Sequence, residues 1–128
     1  MQPNQFYAPP PGLMVVSTPF VPGCKIVNVI GFTWGLTVRS RGLGGNIMAG
    51  LRTLGGGEIK EYTEMLDHAR WEALQRLMDH ARSLGANAVV GVAFDSSEIG
   101  DIMSEILAYG TAVVVQRDDA PPQPVALR

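Results

Sequence analysis

Cysteine, net charge and long apolar runs are all scarce in this chain, and each shortage removes a class of function. Cys24 is the one cysteine among 128 residues. It cannot form an intrachain disulfide, and it cannot build a closed thiolate-rich zinc site, which needs several Cys and His ligands. Twelve acidic and ten basic residues leave a net charge of −2. That balance gives no basic stripe of the kind that binds nucleic acid. No apolar run approaches the ~20 residues that span a bilayer, and no cationic amphipathic helix suggests a membrane surface. The opening MQPNQFYAPPPG lacks the basic-then-apolar order of a secretory signal, so the expected compartment is the cytoplasm. There is no Walker GxxxxGK[ST], no strand-anchored GxGxxG and no motif that places a nucleophile beside a base. No catalytic residue is assigned, and the chain is expected not to be an enzyme.

What remains is an ordinary globular composition, 46% hydrophobic and 17% charged, at a length that suits one domain. Residues 1–12 are rich in Pro, Gln and Asn, with Pro9, Pro10 and Pro11 in a row. They read as a loose polyproline-type tail, or as a docking peptide for a partner protein anchored by Phe6 and Tyr7. Residues 117–128 read as a second flexible tail. The domain is expected over 13–116.

Within it, MVVST is a short apolar strand, followed by breaks at Pro19 and Pro22-Gly23. Lys25 to Arg39 is rich in Val, Ile, Thr, Phe and Trp and predicts a strand. Gly31 and Gly35 inside it predict a bulge or a close backbone approach. Asn46 caps a short helix carrying Ile47, Met48, Leu51 and Leu54, which Gly55-Gly56-Gly57 ends. A long helix follows from about Lys60 to Leu84. Tyr62, Met65, Leu66, Ala69, Ala73, Leu77, Ala81 and Leu84 recur at gaps of three and four, and Gly85 stops it. Two strands close the domain, Ala88 to Phe94 and Ile106 to Val115. Both alternating faces of each are apolar or small, whereas a half-solvated sheet shows polar residues on one face. The helices cover one face, so neighbouring subunits are expected to cover the other. Val90, Val92, Phe94, Tyr109 and Val113 are the expected interface, with Trp71, which falls off the helix stripe, as a further contact.

The segment LGANAVVGV followed by GTAVVV resembles the YbjQ family, also called UPF0145. KIVNVIGFTWGLTV, with Gly35 at a recurring glycine, is similar to that family's early strand. Gly55-Gly56, Tyr62, Ala69, Arg70 and Ala73 sit at positions of its helical motif. The resemblance covers about Val15 to Val115. It implies an α+β fold of dodecin-like β-α-β-β topology, with a mostly antiparallel sheet packed by a short and a long helix. It also implies assembly into a homopentameric ring. The family is mostly uncharacterised, and its label names heavy-metal binding.

A metal site would need Cys, His or carboxylate ligands at chelating spacing. His68 and His80 are twelve residues apart on one helix, ~18 Å along its axis and ~120° around it, so they cannot share an ion within a subunit. Glu64, His68 and Glu72 form one stripe, but its ends are ~12 Å apart. Asp95, Glu98, Asp101 and Glu105, with Ser96 and Ser97, gather carboxylates between the last two strands. They read as a polar hairpin loop or as oxygen ligands for a hard metal cation, completed by other copies near a ring axis. Arg39, Ser40, Arg41 and Asn46, among Gly42, Gly44 and Gly45, read as a flexible turn. They also suit a small anionic ligand held at a helix N-terminus between subunits.

Overall fold

The computed structural model describes residues 12–40, 60–99 and 103–118. Four strands and one helix follow in chain order: β1 (Met14–Val15), β2 (Cys24–Ser40), α1 (Lys60–Ser83), β3 (Ala88–Ile99) and β4 (Met103–Arg117). The strands form one mixed sheet in the order β1-β3-β4-β2. β4 pairs antiparallel with β2 and β3 on its two sides, and β1 runs parallel to β3. The order is therefore β-β-α-β-β among the described residues, one strand more than the expected β-α-β-β. The expected short helix and the two tails, apart from Gly12, Arg117 and Asp118, lie outside the described residues.

The Ala stripe of α1 decides how closely helix and sheet approach. Ala69, Ala73, Leu77 and Ala81 are fully buried, and Leu74 and Met78 flank them. The small side chains of Ala69, Ala73 and Ala81 let the helix backbone lie against β2, and Gly35 is the contact point. A Cβ built on Gly35 would stand 2.9 Å from the Arg76 carbonyl carbon, and closer still to the Ala73 carbonyl oxygen and Leu77 amide nitrogen. The strand glycine thus serves close backbone approach. Gly31, by contrast, has φ +142° and follows a register shift between Val29 and Gly31, so this glycine marks a bulge.

α1 ends in a Schellman motif. Ala86 N donates to Ala81 O (3.1 Å) and Gly85 N to Arg82 O (2.9 Å), with Gly85 at φ +89°. Asn87 then ties β3 to β4. Its Nδ2 donates to Val115 O (2.9 Å), and its Oδ1 accepts from Val115 N (2.8 Å). This amide continues the strand ladder where the backbone alone would leave two groups unpaired.

The core divides in two. Under α1 lie Ile106, Ala108, Ala112 and Val89, with Leu13 at one end. On the opposite face a smaller cluster joins Val21, Ala88, Val90 and Val113, flanked by Val16, Cys24 and Val115. Residues 16–23 therefore form a strap over one end of the second face. Gly91 N donates to Thr18 O (2.8 Å) and Val92 N to Val16 O (3.0 Å), which fastens the strap beside the β3 bulge.

Candidate functional site

Strand alternation sorts the side chains of β2 into two sets. Thr33, Gly35 and Thr37 face α1 and are buried. Phe32, Trp34, Leu36 and Val38 face the other way and are exposed, Phe32 by 59% and Trp34 by 48%. The strap stops short of them, and among the described residues nothing else covers this half of the second face. Tyr109, opposite Trp34 on β4, completes an aromatic cluster. The ring centroid of Phe32 is 5.6 Å from that of Trp34 and 6.1 Å from that of Tyr109.

Trp34 is held from behind. The His80 ring lies 5.0 Å from the Trp34 ring, while His80 Nδ1 is 2.8 Å from the hydroxyl of Thr33. Thr33 and Trp34 project from opposite faces, so His80 reaches both only by wrapping the outer edge of β2. The Thr33 hydroxyl also lies 3.3 Å from Leu77 O. It has one proton, so donation to Leu77 makes it the acceptor of a proton on His80 Nδ1. One turn earlier, Arg76 Nη1 donates to Leu36 O (2.6 Å) at the same strand. α1 thus places two side chains over this edge, a common way of shielding an unpaired strand.

The candidate ligand residues are dispersed. The expected hairpin loop is mostly strand: Asp95, Ser96, Ser97 and Glu98 belong to β3, and Glu105 to β4. Glu105 pairs with Ser97, whose hydroxyl donates to Glu105 Oε1 (3.0 Å), and Glu98 pairs with Ser104. The period of two puts Asp95, Ser97 and Glu105 on one face and Glu98 on the other. Asp101 lies outside the described residues. Among the described residues no three His, Cys, Asp or Glu side chains are grouped to hold a metal ion. The donor set of one subunit therefore does not fit a closed metal site.

Arg39, at the end of β2, pairs with Glu72 of α1, and the other Glu72 oxygen is 4.0 Å from His68 Nε2. The guanidinium expected to meet an anion is thus engaged by a carboxylate. Ser40 closes β2, and Arg41 and Asn46 lie outside the described residues.

The expected interface residues also separate. Val90 (6% exposed) and Val113 (0%) are buried inside the subunit by the strap. Within one subunit Val21 and Val16 supply the cover that the sequence reading assigned to a neighbour. Val92 and Trp71 are half-buried against the helix-side core. Phe94 is exposed on the helix side, with the Arg70 guanidinium 5.9 Å above its ring. Tyr109 remains on the open face. Phe32, Leu36, Val38 and the His80–Thr33 pair were missed, although the alternation of large residues with Thr and Gly in FTWGLTV signalled the first three.

Comparison with known proteins agrees with this fold. A family model described as "Putative heavy-metal-binding" matches residues 13–116. A UPF0145 protein of Methanoregula boonei is 63% identical over 115 residues, covering 90% of this chain and 96% of that protein. A UPF0145 protein of Thermoplasma acidophilum is 61% identical over 104 residues, covering 81% and 87%. The crystal structure of a protein of unknown function from Pediococcus pentosaceus, of the DUF74 family, superposes with a TM-score of 0.56 at 16% identity. It covers 82% of this chain and 99% of that one, a likeness of fold alone. The matched family model and these close relatives show that the chain belongs to the UPF0145 (YbjQ) family.

Proposed function

We propose that this protein is a non-enzymatic, cytoplasmic assembly module, a homo-oligomeric ring of five subunits whose ligand sites lie between subunits. One observation carries the reading. The second face of the sheet carries a row of exposed large apolar side chains on β2, and among the described residues the strap covers only one end of that face. Monomeric proteins rarely leave a contiguous apolar patch of more than a few hundred Å², and an exposed apolar strand is an aggregation hazard. Burial against further subunits removes both problems. The number five rests on the family resemblance.

A metal ion or small anion bound by such an assembly needs donors from more than one subunit, because the described residues of one subunit group no set of three. Asp95, Glu98 and Glu105, with Asp101, are the oxygen donors that this reading assigns to a shared cation. Arg39, Ser40, Arg41 and Asn46 are those it assigns to an anion. Sedimentation velocity tests the assembly: a single species several times the chain mass at micromolar concentration is expected, and a single-chain species overturns it. Metal titration of the assembled protein, with Asp95→Asn and Glu105→Gln as controls, tests the shared cation site. Stoichiometric binding weakened by both substitutions is expected, and unaltered binding removes those carboxylates from the reading.

A further inference from the structure

We infer that the open half of the second sheet face, centred on Trp34, is the surface that takes a second copy of this chain. This rests on the assembly reading and names its contact. The expected patch around Val90 and Val113 is not available, since the strap buries both. Ile26, Val29, Phe32, Trp34, Leu36 and Val38 are the exposed large apolar side chains on the open side of β2.

Area identifies the occupant as another folded chain. At their fractional exposures, these six side chains present on the order of 500 Å² of apolar surface, given that a large aromatic offers 150–250 Å² when fully bared. A stable interface buries about 800 Å² per partner, so this patch supplies most of one side. Half-buried Leu107 and Tyr109 of β4 extend it. Chemistry narrows the occupant further. Lys25 and Arg39 are the only charged residues of β2, and both belong to the helix side by their pairing with Gln116 and Ser104. On the same face Glu105 stands opposite Val38, and Asp95 stands opposite Leu107, so a partner is apolar at the centre of the patch and polar at this end, as a second copy of this chain is.

Trp34 is the anchor. Hot-spot side chains are typically aromatic, central and already held in place before binding. Trp34 lies between Phe32 and Leu36 along β2, opposite Tyr109, with His80 against its ring. His80 is fixed in turn through Thr33. The indole enters the contact with little rotational freedom left to lose.

Trp34→Glu tests this in the full chain. The indole is 48% exposed in the isolated subunit, so the carboxylate has water available and the subunit is expected to fold. Sedimentation velocity and circular dichroism of wild type, Trp34→Glu and Phe32→Ser are compared at one concentration. An oligomeric wild type with a folded Trp34→Glu of one-chain mass, 13.7 kDa, supports the inference, and Phe32→Ser should raise the dissociation constant at least tenfold. If Trp34→Glu is unfolded, Phe32→Ser and Val38→Lys decide in its place. A folded variant that keeps the wild-type mass overturns this surface while leaving assembly intact. A wild type that is itself a single chain overturns the assembly reading and this contact together.

Discussion

Replacing Gly35 with alanine adds one methyl group where α1 crosses β2. The Cβ would stand 2.9 Å from the Arg76 carbonyl carbon and nearer still to two other backbone atoms of α1. These are mid-helix backbone atoms, not the mobile end of a side chain, so the helix must lift as a body or the strand must bend away. Either movement opens the contact along Ala69, Ala73, Leu77 and Ala81, and dispersion falls steeply over a gap of even half an ångström. Overpacking a core ordinarily costs ~1–3 kcal/mol, and a clash with rigid backbone belongs at or above the top of that range, about 3 kcal/mol or more. Gly31→Ala is the control, since no atom lies within 4 Å of its Cβ and only the backbone at φ +142° objects. Its cost is expected at about 1–2 kcal/mol. Urea unfolding followed by circular dichroism measures both at one fixed concentration, since the proposed self-association would make stability concentration-dependent. Gly35→Ala within ~0.5 kcal/mol of wild type, the range of an ordinary surface substitution, would refute the close helix–strand contact.

Two buried threonines on one strand face should respond in opposite directions. Thr33 is hydrogen-bonded to Leu77 and His80, so Thr33→Val should cost about 1 kcal/mol; the Thr37 hydroxyl, 2% exposed as a residue and without a hydrogen-bond partner among the described residues, should give a neutral or more stable protein as Thr37→Val. Chemical denaturation of the pair reads the difference. Val113→Asp should unfold the subunit at any concentration, because it buries an unpaired charge in the subunit's own core; a folded monomer by circular dichroism would contradict the strap. Asn87→Ala should lower stability by roughly 1–3 kcal/mol, leaving Val115 N and O without partners, and should speed amide exchange at Val115. Any metal retained by the assembly should be released when Trp34→Glu separates the subunits; elemental analysis showing equal metal in both forms would place the site inside one chain.

Much of this fold can be read from local pattern. The Ala69–Ala73–Leu77–Ala81 spacing announces the buried stripe of α1, and Gly85 its end. Gly31 and Gly35 flag the two irregular points of β2, although only the packed helix separates a bulge from a close approach. The strap is less legible. Nothing local in Ser17 to Pro22 says that Val21 will close over Val113, ninety-two positions away. A sheet with two apolar faces therefore pointed to neighbours where the chain partly covers itself. The Asp95–Glu98 run misled for a different reason. Four polar residues look like a loop, yet near a hairpin tip a strand can expose both faces, so alternation carries no signal there. The parallel pairing of β1 with β3 is long-range too, and a two-residue strand offers no periodicity. The resemblance covering about Val15 to Val115 matched the family model over 13–116 because it drew on the glycine and alanine positions jointly.

Native mass spectrometry of untagged protein, purified without chelator, is the decisive measurement for the proposed assembly. One dominant species of five chains is expected, with any retained metal or small ligand present in that species. A single-chain mass at micromolar concentration would contradict it, because the apolar face around Trp34 would then be stable in water without a partner.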